Sequence, residues 1–170
     1  MDGVVSHANN GVYGGIAAAV LTSLAFQEKE PRRLVEKALD FIPGKSEYAA
    51  QYKFVLSVLK EETDSKTAWQ KIEPHFEKYN WIHAYPNMAA DLFSLWYGNG
   101  DFTESMKLLA IAGYDVDCNA GLVGNVLGVM NQVPSKWAEP IGDLLETYIK
   151  GKEKLSIREL ANKTIFLAMH

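Results

Sequence analysis

Residues 113–130 read GYDVDCNAGLVGNVLGVM. Two aspartates, Asp115 and Asp117, stand one residue apart between a glycine and an apolar run of helical length. Gly113 suits the turn that closes a helix, and a new helix is expected from about Cys118 to Met130. The acids therefore precede a helix N-terminus, where free N–H groups and the macrodipole favour negative charge. Asp117 is accounted for as an N-cap, a contribution of about 1 kcal/mol. Asp115 is not. Two carboxylates on one turn also make a hard-oxygen half-site for Mg²⁺ or Ca²⁺.

An EF-hand is excluded. Asp115, Asp117 and Asn119 fit its first three ligand positions, but Ala120 replaces the required glycine and Val126 the bidentate glutamate. Gly121, Gly124 and Gly128 dot the helix that follows. Each glycine costs a helix about 1 kcal/mol relative to alanine, so the pattern predicts another backbone packed closely against it.

Helical spacing extends outward in both directions. Val12 to Gln27 is a Gly- and Ala-rich helix. Pro31 opens a second, with Leu34, Val35, Ala38 and Leu39 on one face. Ser46 caps a third, whose stripe is Tyr48, Tyr52, Val55, Leu56 and Leu59. Ser65 to Glu73 forms a fourth, ended or kinked at Pro74. A fifth runs from about Asn87 to Tyr97 and stops at Gly98. Asp101 with Glu104 is a capping box for a sixth, closed by Gly113. Beyond the NQVPSKWAEP loop, Ile141 to Ile149 has helical spacing, YIKGKEKL suits a short hairpin, and Ser156 with Glu159 caps a last helix toward Met169. The expected fold is all-α: one irregular bundle of eight or so helices forming a single domain over 1–170.

The 170 residues carry 17 basic and 21 acidic side chains, and no basic stripe alternates with aromatics as nucleic-acid binding requires. The apolar stretch Val12 to Phe26 is shorter than the roughly 20 residues of a membrane helix, and no basic segment precedes it as in a signal peptide. A single cysteine, Cys118, rules out an internal disulfide framework and suits a reducing, cytoplasmic setting. Thiol catalysis is not expected of it, since no histidine adjoins it and the neighbouring aspartates raise its pKa. His75 and His83 are expected at surface seams, and His170 at the chain's end.

GYDVDCNAGLVGNVLG, followed by VPSKW and Pro140, resembles the C-terminal signature of the ADP-ribosylglycohydrolase family, which carries Asp-x-Asp-(Thr, Ser or Cys)-Asn-Ala, a glycine-dotted helix and an "IP..W..P" tail. SHANNGVYGGIAAAVLTSLAF and NWIHAYPNMAADLFSLWYGNGDF resemble two further family segments in the same order. The resemblance spans Ser6 to about Asp143. It implies an all-α hydrolase that cleaves the glycosidic bond to ADP-ribose, on an ADP-ribosylated substrate or an ADP-ribose-like small molecule, using two Mg²⁺ ions. Asp115 and Asp117 match the family's C-terminal metal ligands. Cys118 stands where an oxygen ligand is usual, and its soft sulfur is a poor partner for Mg²⁺. His7, Asn10 and Gly11 match a histidine loop that contacts ADP-ribose; on their own they also read as an N-terminal segment with Asn10 as a cap.

The family's "GD..G" opening and Thr-Asp-Asp-Thr cluster, which supply the other metal ligands, have no counterpart here. EETDSKT, Glu61 to Thr67, resembles the cluster superficially but lies where a helix start with solvated charge is expected. The resemblance thus implies a C-terminal half whose metal site is incomplete and inactive alone, completed by an N-terminal partner half or accompanied by a second copy as a homodimer. A non-catalytic binding module that kept the bundle and lost the metal centre is the alternative.

Overall fold

A computed structural model describes residues 3–169, so His170 lies outside the described residues. The chain is all-α, with ten α-helices and one two-stranded hairpin among those residues. It divides into two compact units, the first ending at Gln132 and the second starting at Val133. No described helix is long and apolar enough to cross a membrane.

The first unit holds α1 (Gly3–Ser6), α2 (Asn10–Leu24), α3 (Pro31–Ala38), α4 (Glu47–Glu61), α5 (Ser65–Phe76), α6 (Ala84–Gly98), α7 (Phe102–Ala112) and α8 (Val116–Met130). α6 is its axis. Its sequence, AYPNMAADLFSLWYG, carries one acidic side chain, Asp91, and twelve of its residues are buried, so it presents apolar surface on every side. α2, α3, α4, α5, α7 and α8 all pack against it.

Local signals set the helix ends. Pro31 opens α3, and the Glu30 carboxylate accepts the N–H groups of Arg32 and Arg33 at 3.0 Å each. Ser46 Oγ accepts the Ala49 N–H at 3.1 Å, and all five expected stripe residues of α4 are buried. In EETDSKT, Asp64 Oδ2 accepts from the Thr67 N–H and hydroxyl at 2.8 and 2.7 Å; this is a helix cap, as the charge pattern implies. Asp101 Oδ1 accepts the Glu104 N–H at 2.8 Å, while the Glu104 carboxylate turns outward to Lys107, so only half of the capping box forms.

Three expectations are corrected. Of the two outcomes expected at Pro74, a helix end is overturned: α5 runs on to Phe76, whose fully buried ring holds the last turn in the core. Two of the α8 glycines admit no second backbone: Gly121 faces open space, and a Cβ added to Gly124 would meet the side chains of Met106 and Phe102 at 3.6–3.8 Å. The close approach is instead between α6 and α7. A Cβ on Gly98 would lie 1.9 Å from Ser105 Oγ and 3.0 Å from Ser105 Cα.

The third correction falls in the second unit, where Ile141 to Ile149 is not helical. After α9 (Ser135–Ala138), Gly142 and Asp143 adopt φ of 63° and 60°, a left-handed pair that breaks a helix. β1 (Leu144–Glu146) then pairs antiparallel with β2 (Lys154–Ser156), Leu144 opposite Ser156. YIKGKEKL does form the hairpin turn. Ser156 Oγ accepts the Glu159 N–H at 3.0 Å, and α10 (Ile157–Met169) follows.

Candidate functional site

The acidic turn is built by two left-handed residues and a cap. Gly113 (φ 76°) and Tyr114 (φ 61°) swing the chain from α7 into α8. Asp115, rather than Asp117, is the N-cap residue, and its carboxylate makes no capping hydrogen bond. That leaves the group free of the helix end. Asp117 falls in the first turn of α8. A ligand atom from each of Asp115, Asp117 and Cys118 lies within 4.8 Å of the other two, so the structure brings all three expected metal residues together. They are the one such group among the described residues.

The electrostatics follow from this crowding. A hydrogen bond with the Asp115 carboxyl, aided by backbone N–H groups at the helix start, holds the Asp117 carboxyl below the usual carboxylate range. The same Asp115 carboxyl, by hydrogen bond and charge, pushes the exposed Cys118 thiol upward. The donor set is thus two hard oxygens beside a thiol held in its protonated form. Two carboxylates fit Mg²⁺; the sulfur does not.

Asn87 fixes where the turn sits. Its Oδ1 accepts the Asp115 backbone N–H at 3.0 Å and the Asn119 amide at 2.9 Å, while its Nδ2 donates to the carbonyls of Trp81 and His83 at 2.8 and 2.9 Å. Both oxygen lone pairs and both amide hydrogens are used. Sequence spacing did not single out Asn87; its only signal is an amide in the first turn of an apolar helix.

Ile82 and His83, with the start of α6, also form one wall of a groove of about 950 Å³. Its opposite wall is the start of α2, with His7, Asn10 and Gly11, so the three expected ligand-contact residues share one concavity; Asp115, Asp117 and Cys118 do not line it. Asn10 has a structural duty there, since its Oδ1 accepts the Tyr48 N–H at 3.0 Å and caps α4 across the core. Gly11 keeps the His7 ring close: an added Cβ would lie 3.2 Å from it. His7 is exposed, and its Nδ1 is 2.7 Å from Ser6 Oγ. His83 caps α6, its Nδ1 accepting the Tyr85 N–H at 3.3 Å. His75 is half-buried, stacked on Phe54 with ring centroids 3.9 Å apart.

A second residue escaped sequence reasoning. Asp91, on α6, is 6% exposed, and its Oδ1 has no hydrogen-bond partner. A lone acid in the uncharged stretch 84–98 was the available signal.

Comparison with known proteins agrees with the features already described. The chain belongs to the ADP-ribosylglycohydrolase family, whose sequence model matches residues 1–169. No curated protein and no solved structure matches it.

Proposed function

We propose that this member of the ADP-ribosylglycohydrolase family forms the acidic wall of a Mg²⁺-dependent site that hydrolyses the glycosidic bond to ADP-ribose. The observation that carries the proposal is the convergence of Asp115, Asp117 and Cys118 in a chain matched almost end to end by that family. Asp115 and Asp117 hold the ion. When bound, a divalent cation lowers the pKa of water and clamps the oxygens of a strained glycosidic centre.

The remaining work falls to the chain's own groups. Asn87 fixes the Asp115 backbone, so that carboxylate is aimed before any ligand arrives. The groove of His7, Asn10 and Gly11 receives the ADP-ribose body. There the exposed His7 ring offers a hydrogen bond at the rim, and Gly11 keeps the floor open.

Two carboxylates from one turn fill only part of an octahedral shell, and no second ligand cluster exists among the described residues. The chain alone is therefore expected to bind Mg²⁺ weakly and to hydrolyse little, with the missing ligands coming from a partner half or a second copy. Calorimetric titration with Mg²⁺ and ADP-ribose, alongside release of ADP-ribose from a modified acceptor, tests this. Turnover by the isolated chain that is lost in Asp117→Ala would mean that the metal centre is already complete. ADP-ribose binding without turnover, unaffected by that substitution, marks a binding module instead.

A further inference from the structure

The turn between α7 and α8 offers one donor for which a magnesium site has no use. One ligand atom from each of Asp115, Asp117 and Cys118 lies within 4.8 Å of the other two, and the third of these atoms is sulfur. Cys118 follows Asp115 by three residues, about one helical turn, which returns its thiol to the Asp115 carboxyl. That carboxyl is hydrogen-bonded both to the thiol and to the Asp117 carboxyl. Asp117 and Cys118 are exposed, so an ion reaches the group without any opening of the fold. The backbone beneath is fixed, by the Asn87 amide at Asp115 and by α8 at the other two.

Coordination geometry decides which ion this donor set suits. Mg²⁺ demands a near-octahedral shell of oxygens, so the turn offers it two ligands and leaves most of the shell to water. An ion of the Zn²⁺ class accepts thiolate as well as carboxylate, and it is stable with three protein ligands and one open tetrahedral position. For such an ion the turn supplies all but one position from a single short stretch of chain. Metal–sulfur and metal–oxygen bonds of about 2.3 and 2.1 Å put tetrahedral ligand atoms about 3.4–3.6 Å apart. A group already within 4.8 Å reaches that spacing by side-chain movements of about 1 Å. Soft sulfur then adds a preference that the carboxylates lack.

We propose that Cys118 makes this turn selective for a thiophilic divalent cation of the Zn²⁺ class over Mg²⁺, the ion being held by Asp115, Asp117 and the Cys118 sulfur. The inference rests on the reading of the turn as a cation site and changes which ion the chain retains by itself. Binding forms a metal–sulfur bond, breaks the thiol S–H bond and sends the proton to water, while a water ligand leaves the ion. No oxidant or reductant is needed.

The test is titration of the full chain with Cd²⁺, a thiophilic spectroscopic probe, with and without a large excess of Mg²⁺. The ultraviolet sulfur-to-cadmium charge-transfer band is expected to appear and to survive the Mg²⁺. Cys118→Ser is expected to abolish the band and to weaken Cd²⁺ binding in calorimetry by about tenfold or more, with Mg²⁺ binding unchanged. Cd²⁺ binding that Cys118→Ser leaves intact but Asp117→Ala lowers would show a carboxylate site with a spectator thiol, and the inference falls while the cation reading stands. Loss of the band on addition of Mg²⁺ would also overturn it, with Mg²⁺ as the preferred ion. Binding of neither ion would overturn both. Because the band is read on the unaltered chain, the result stands even if a variant fails to fold.

Discussion

Asn87 holds Asp115 in place from 28 residues away, its side-chain oxygen accepting the aspartate's backbone N–H at 3.0 Å. The same amide grips the Trp81–His83 carbonyls, so one side chain joins the acidic turn to the wall of the groove. Truncating it leaves the Asp115 N–H, the Asn119 amide and the Trp81 carbonyl without this partner, while the His83 carbonyl keeps its bond from the Asn87 N–H. Asn87→Ala is expected to cost about 1–2 kcal/mol, the lower part of the about 1–3 of an unsatisfied buried group, because Asn87 is half-buried and water reaches part of this network. Urea denaturation measures it, and a loss below about 0.5 kcal/mol would mean that water replaces the amide without penalty.

The α6–α7 contact at Gly98 leaves no room for a methyl group. Gly98→Ala is expected to destabilise by about 2 kcal/mol or more, because overpacking of a fixed backbone forces helices apart. Removing the Ser105 hydroxyl in a double variant should restore only part of the loss, as the added carbon would still lie 2.9 Å from Ser105 Cβ. Thermal melts of both variants decide it. Full rescue would place the clash on the hydroxyl alone.

Cys118 is exposed yet electrostatically suppressed. Its alkylation by iodoacetamide near pH 8 is expected to run slower than that of a free thiol, since the thiolate is the reactive form. Asp115→Asn should accelerate it by removing the principal cause. An unchanged rate in that variant would assign the slow reaction to access rather than charge.

Asp64 gives a pH dependence of defined sign. The Thr67 hydroxyl and backbone N–H hold its carboxyl below its ordinary value in the folded chain. Its contribution is therefore fully present above the unfolded carboxylate pKa, about 3.9, and is lost as pH falls through the lowered folded value. Asp64→Asn should flatten the decline in stability across that acid window and leave the neutral region nearly unchanged. An unaltered acid slope in chemical denaturation would refute the assignment.

Much of this was legible before any coordinates. The α4 stripe, the Pro31 start, the Ser46 and Asp101 caps and the Gly113 stop are local signals, and local hydrogen bonding obeyed them. The proximity of Asp115, Asp117 and Cys118 was legible because they are close in sequence. Asn87 was missed because its meaning lies in partners up to 32 residues away. The helix expected at Ile141–Ile149 failed for a related reason: its apolar residues have helical spacing, but Asp143 is used to accept the Ser156 hydroxyl and the Arg158 N–H, which turns the chain into a hairpin. The α8 glycines misled because composition cannot tell a tight contact from open space. A tight approach of two helices falls instead at Gly98, which had been assigned only to stop a helix.

The sheathing of α6 by its neighbours also governs the timescale on which this framework moves. A rod covered on all sides offers no route for local fraying at its centre. Amide protons from about Ala89 to Leu95 should then trade with deuterium only when the whole first unit opens. Asp91 lies within that span and Asn87 just ahead of it, so both groups rest on the slowest-breathing part of the unit.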